Sequence, residues 1–240
     1  MCLKGLIALL QFTTVIPLGK PVDLSYFAKW LYLYPIAGYL IGGIAAVIVS
    51  VIDARPLAAA IALGSVLLLS GFHHFDGLLD LGDALMVHGD REKRVRALTD
   101  RQVGAGGVGL GLIATLIAFA ALLSTPLTGV VILAGEVSAK VGMTMLSIFG
   151  RPFKEGLHAF LHQHTKTWFM VPALCFFLPL VVVLSWTVVV VAALVTLITA
   201  ALILHLASRM FGGVNGDVVG AANEIIRCIV MVTLVVMLYR

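Results

Sequence analysis

Three aspartates, Asp76, Asp80 and Asp83, stand at i, i+4 and i+7 in Gly71-Phe-His-His-Phe-Asp76-Gly-Leu-Leu-Asp80-Leu-Gly-Asp83, directly after a long apolar run. On a helix this spacing stacks all three carboxylates on one face. Like charges held so close repel unless a cation lies among them, and an oxygen-only set suits Mg²⁺, less often Mn²⁺ or Ca²⁺. The competing account is a solvated helix face just outside a membrane, but the neighbours are apolar residues, glycines and histidines rather than an ordinary polar surface. His74, two residues ahead of Asp76, is placed to orient a carboxylate, bind phosphate or move a proton; a lone histidine at a helix end needs no such role.

Further chemistry-bearing segments lie downstream. Asp90-Arg-Glu-Lys-Arg-Val-Arg96-Ala-Leu-Thr-Asp100-Arg101-Gln-Val-Gly104-Ala-Gly-Gly107 reads as a basic helix ending in a glycine-rich turn. Glycines beside an arginine let backbone N–H groups reach phosphate oxygens at the positive end of the next helix, although basic loops also serve only to set topology. In Arg209 to Glu224, Asp217, Gly220 and Glu224 share one helical stripe, a second acidic face. Glu224 with Arg227, and Glu136 with Lys140, have the spacing of structural ion pairs. His158 and His162 have the i, i+4 spacing of a helical zinc site, but no third ligand of the usual motif follows, so His158, His162 and His164 read as an exposed amphipathic loop helix.

The elements that must position these residues belong to a membrane. Of 240 residues, 61% are hydrophobic and 12% charged, against roughly 25% charged in soluble domains; mean hydropathy is +1.10. The chain therefore reads as an all-α, polytopic integral membrane helical bundle forming one domain over residues 1–240. About seven transmembrane helices are predicted near residues 33–52, 57–75, 106–124, 127–148, 168–185, 187–207 and 219–239, after an N-terminal interfacial helix without a signal-peptide cleavage site. Cys2, Cys175 and Cys228 make neither a disulfide framework nor a metal site. Twelve of the sixteen Lys and Arg residues fall on one side of this arrangement. The rule that basic loops stay inside makes that side cytoplasmic, puts the N-terminus there and the C-terminus outside, and gathers the acidic motifs on the cytoplasmic face. The net charge of +4 is accounted for by those loops and indicates no nucleic-acid partner.

Several blocks, in order, resemble the cobalamin synthases, or adenosylcobinamide-GDP ribazoletransferases. They are Leu9-Leu-Gln-Phe-Thr-Thr-Val-Ile-Pro17, Tyr34-Pro-Ile-Ala-Gly38, His74-Phe-Asp76-Gly-Leu-Leu-Asp80-Leu-Gly-Asp83, Asp100 to Gly107, Arg151 to Gly156, and Gly212-Gly-Val-Asn-Gly216-Asp217-Val-Val-Gly220-Ala. Phe72, Ala84, Lys140 and Asn215 depart from the family's commoner residues. The resemblance implies a membrane-embedded transferase of late cobalamin biosynthesis. It would join adenosylcobinamide-GDP to α-ribazole or its 5′-phosphate, yielding adenosylcobalamin or its 5′-phosphate and GMP. It also implies Mg²⁺ as cofactor, held by Asp76, Asp80, Asp83 and Asp217, with Asp217 a further ligand or the base. His74 joins these as a catalytic residue, and Arg101, Gly104 and Gly107, with Asp100, Arg151 and Gly216, bind phosphate and substrate. Membrane lipid is a partner, and homo-oligomerisation is left open. The alternatives weighed are a CDP-alcohol-type phosphotransferase, whose Ala-Arg after the first Asp-Gly is replaced here by Leu78-Leu79, and an ion-coupled transporter, for which no internal repeat is found.

Overall fold

A computed structural model describes residues 2–238, and those residues form helices and connecting turns without a β-sheet. The helices are α1 (Cys2–Thr13), α2 (Leu24–Lys29), α3 (Tyr34–Val49), α4 (Arg55–Leu69), α5 (His73–Met86), α6 (Arg91–Leu98), α7 (Ala105–Leu123), α8 (Thr128–Phe149), α9 (Leu157–His164), α10 (Met170–Cys175), α11 (Trp186–Phe211) and α12 (Gly216–Leu238). Local chemistry sets many ends. Prolines open α3 and α4, where the missing N–H costs nothing. Asp23 and Asp90 cap α2 and α6 by accepting from Ser25 N–H and Lys93 N–H, and Gly212 ends α11 at φ 85°.

Five stretches among the described residues, α3 with its leading turn, α7, α8, α11 and α12, are long and apolar enough to cross a membrane singly; the total is up to seven if two bent helix pairs count as one span each. α8 lies at the centre, packed on α3, α11 and α12. The lipid-facing surface is written on α7 and α11, where Leu112, Ile113, Leu116 and Ile117, and Val190, Leu194, Ile198 and Leu202, stay exposed.

Two expected spans are altered. The 168–185 stretch is not one helix: it breaks into a 3₁₀ turn, α10 and a second 3₁₀ turn at Leu178–Val182. Pro172 and Pro179 lie within it, and each removes an N–H and crowds the preceding turn. The expected 57–75 span stops at Leu69 because Gly71 (φ 63°) and Phe72 (φ 60°) take left-handed backbone. The chain turns there by 94°, so α5 leaves the direction of α4 and packs across the first turns of α7 and α12.

Glycines permit these packings. Cβ atoms added at Gly38 and Gly42 would meet Glu136 and Leu133 of α8, and one at Gly129 would meet Ala46. The pairing runs antiparallel, with small residues every fourth position letting backbones close up.

Candidate active site

The site is built where α5 crosses the starts of α7 and α12. A Cβ at Gly77 would lie 2.5 Å from the Asp217 carbonyl oxygen and 3.2 Å from Ala221 N, while one at Gly220 would lie 3.3 Å from His74 Cα. Residues about 140 apart in sequence thus share one crossing, as expected of Asp217 and the Asp76–Asp83 face. α5 carries all three aspartates: Asp76 is exposed, and Asp80 and Asp83 are partly buried.

Their surroundings differ. Asp83 accepts from Gly104 N–H (2.6 Å) through one oxygen and Gly107 N–H (2.8 Å) through the other. It therefore satisfies the open N–H groups at the start of α7 and places a negative charge at that helix's positive end. This corrects the expected function of the glycine turn, whose two N–H groups face a protein carboxylate rather than standing open to phosphate. A Cβ at Gly104 or Gly107 would fall 2.5 Å or 2.7 Å from Asp83 oxygens, so glycine is needed there for close approach.

Asp217 accepts from Asn215 Nδ2 (2.5 Å), and Asn215 Oδ1 accepts from Val218 N–H (3.1 Å), which caps α12. Among the described residues, neither Asp76 nor Asp80 has a hydrogen-bond or ion-pair partner. Burial, then the charges of Asp217, Asp76 and Asp83, push the Asp80 carboxyl up to about 7, with Lys154 pulling the other way. The donor set is thus oxygen-only and short of positive charge. Among the described residues no three His, Cys, Asp or Glu side chains are already gathered into a closed metal grip. An oxygen-only set is chemistry of the kind a hard cation such as Mg²⁺ takes, in one or two carboxylates with water and substrate phosphates.

The other expected residues surround the crossing. Asp100 shapes its turn by accepting from Gln102 N–H (3.1 Å), and Arg101 is exposed on that turn. Arg151 is exposed, and its carbonyl accepts from Val214 N–H (2.8 Å), tying the segment after α8 to the segment before α12. Gly216 is exposed, and a Cβ there would meet nothing within 4 Å.

Beside the crossing opens a cavity of about 460 Å³, lined by Gln11, Phe12, Tyr34, His74, His158 and Asp217 among others. His74 is buried, with Nδ1 unpaired. His158 is the clearest correction. Instead of lying on an exposed face it is 4% exposed. Its Nε2 meets the Gly150 carbonyl at 2.8 Å, and burial holds the imidazole below the usual histidine range. His162 and His164 Nδ1 atoms face the backbone carbonyls of Ser147 and Phe160, and no zinc set forms among the described residues.

Beneath the site, Glu136 and Lys140 pair as expected (3.5 Å), but inside a larger buried set: Arg227 reaches Glu136 at 2.8 Å and also holds Glu224, and Lys140 donates to Asn223 at 2.6 Å. Glu224 is therefore engaged in structure rather than adding to the acidic site. Sequence reasoning missed Lys154, Asn215 and the burial of His158. Only Asn215, two residues before Asp217 at a helix start, carried a signal that could have found it.

No solved structure matches the chain. Adenosylcobinamide-GDP ribazoletransferase of Halorubrum lacusprofundi is 36% identical over 245 residues, covering 95% of each chain. The same-named proteins of Methanococcoides burtonii (32%, 94% of this chain and 89% of the relative) and Saccharolobus islandicus (34%, 92% and 87%) are also similar. The family model described as cobalamin-5-phosphate synthase matches residues 5–235, and the chain belongs to that family.

Proposed function

We propose that this chain is the transferase that joins adenosylcobinamide-GDP to α-ribazole, or to its 5′-phosphate, and releases GMP in the nucleotide-loop step of cobalamin biosynthesis. Family membership and the names of its relatives support the reaction. The observation in the protein that carries the reading is the crossing at Gly77 and Asp217, which brings a fourth carboxylate to the aspartate face of α5.

In the reaction a ribose hydroxyl of the acceptor attacks the phosphorus that bears cobinamide. A new P–O bond forms, the P–O bond to the GMP phosphate breaks, and the hydroxyl proton leaves. Asp76 and Asp80, without protein partners, would hold Mg²⁺, which when bound neutralises charge developing on the diphosphate. A carboxylate on a metal is a poor base, and Asp217 is the member of the set that also lines the cavity, so it is assigned to take the proton. Asp83 fixes α5 against the start of α7. Arg101, Arg151 and Lys154 are assigned to the leaving phosphate, where cations are worth most. The bias of Lys and Arg supports a location at the cytoplasmic face of the cell membrane.

The test is chemical. Purified protein in lipid, given adenosylcobinamide-GDP, α-ribazole and Mg²⁺, should form a cobalamin and GMP in equal amounts; GMP without cobalamin, or neither product, would reject the assignment.

A further inference from the structure

The 460 Å³ cavity beside Asp217 is of the size that takes a small ligand. Its wall is rigid and aromatic. Phe12 stacks on Phe27 at 5.5 Å, and Phe27 meets Tyr34 edge-on at 5.2 Å; Phe27 and Tyr34 are 0% and 2% exposed. Met143, Leu157, Leu161 and Val219 add apolar surface, and Ser147, His73, His74 and His158 supply polar points. None of the lining residues is Lys or Arg. Gln11 fixes the roof: its amide donates to the carbonyls of Leu18 (3.2 Å) and Lys20 (2.8 Å), and its side-chain oxygen accepts from Val22 N–H (2.9 Å). His74 and His158 each keep a buried Nδ1 without a hydrogen-bond partner, and the polar points offered to a ligand are the side chains of Ser147, His73, His74 and His158 that line the space.

Such a space suits a flat, uncharged, partly apolar group carrying hydroxyls, and does not suit a diphosphate, which would meet no cation within it. Building on the transferase reading, we infer that this cavity is the acceptor subsite: it holds the methylated bicyclic base of α-ribazole and leaves the ribose at the mouth, where Asp217 stands between it and the acidic helix. A 5′-phosphate has no counter-charge inside, so it stays at the mouth on the side of Lys154, whose charge is felt by Asp217. The donor diphosphate then lies across the aspartates, outside the cavity. One site thereby separates its two substrates by charge.

The test uses the full chain in lipid nanodiscs. Direct binding of α-ribazole is read by equilibrium dialysis, and KM is read separately for acceptor and donor. Ser147→Leu, which narrows the cavity, should weaken α-ribazole binding and raise its KM at least tenfold, leaving the KM for adenosylcobinamide-GDP within twofold. The nucleoside lacking both base methyl groups should bind the native protein about tenfold more weakly, since each buried methyl contributes. An unchanged acceptor KM in Ser147→Leu, or a rise in the donor KM instead, would overturn the subsite. So would equal binding of the demethylated nucleoside, and this arm decides alone if Ser147→Leu fails to accumulate. Failure of the transferase reading is distinguishable, because it shows as absent turnover in native protein while dialysis still reports whether the cavity binds the nucleoside.

Discussion

Asp80 and Asp83 are three residues apart on one helix, yet they do opposite things for stability. Ionising Asp80 in the folded protein is opposed by burial and by three carboxylates, so its folded pKa of about 7 lies above the unfolded value. A raised carboxyl favours the fold while protonated, and that contribution is lost as pH rises from the ordinary aspartate range through about 7. Buried His74 and His158, held below the usual histidine range, act in the opposite sense, so Asp80 is read by difference: without divalent cation the native protein should lose melting temperature relative to Asp80→Asn between pH 5.5 and pH 8, and Mg²⁺ should raise it at pH 8 only. A Mg²⁺ response that is equal at both pH values would remove Asp80 from the cation site. Asp80→Asn should abolish turnover, erase the Mg²⁺ response and melt no lower than native protein. Asp83→Asn should behave differently: its amide can accept only one of the two N–H bonds from Gly104 and Gly107, at a cost of about 1–2 kcal/mol. Melting curves of the two variants side by side separate a cation ligand from a helix cap.

At the scale of elements, catalysis depends on how near α5 and α12 approach. Gly77→Ala sets a methyl against the Asp217 carbonyl and should lower turnover at least tenfold by displacing the base from the aspartates. Gly109→Ala, where nothing lies within 4 Å, should leave turnover unchanged; equal effects would dissociate activity from the crossing. Hydropathy foretold the helices at this scale because α3, α7, α8, α11 and α12 each bury backbone polarity within one apolar run. It failed where local backbone chemistry intervened, at the prolines of 168–185 and at the left-handed Gly71 and Phe72. The stacking of Asp76, Asp80 and Asp83 was legible in their i, i+4, i+7 spacing, and the approach of Asp217 was expected from the two-sided diphosphate site that the family resemblance implies. The capping by Asp83 and the burial of His158 were not, because each depends on a partner brought by tertiary packing, from 21 and 8 residues away respectively.

For the molecule as a whole, the buried charges Glu136, Lys140, Glu224 and Arg227 are balanced two against two. Glu136→Gln would leave Arg227 and Lys140 undercompensated in an apolar interior, and a loss of about 3–5 kcal/mol is expected, read as lowered melting temperature and reduced yield in membranes. A melting temperature equal to native would show that the network is dispensable. Sidedness is tested by single cysteines at His88 and Gly216, which are exposed beside Asp83 and Asp217, in a chain whose own cysteines are replaced by serine: both should react with an impermeant thiol reagent in inside-out vesicles and neither in right-side-out vesicles. Labelling from opposite faces would split the site.

The network also constrains how the chain is assembled. α8 leaves the ribosome long before α12, so Glu136 and Lys140 enter the bilayer with only each other, one turn apart on the same helix. Arg227 and Asn223 arrive with the last helix, together with Asp217 and one wall of the acceptor cavity. Insertion of α12 therefore supplies the remaining partners of the buried pair and the reaction centre in one event, and a chain stalled before it would carry a Glu136–Lys140 pair stripped of Asn223 and Arg227 as a mark for quality-control proteolysis while holding no competent site that could waste the nucleotide-activated donor.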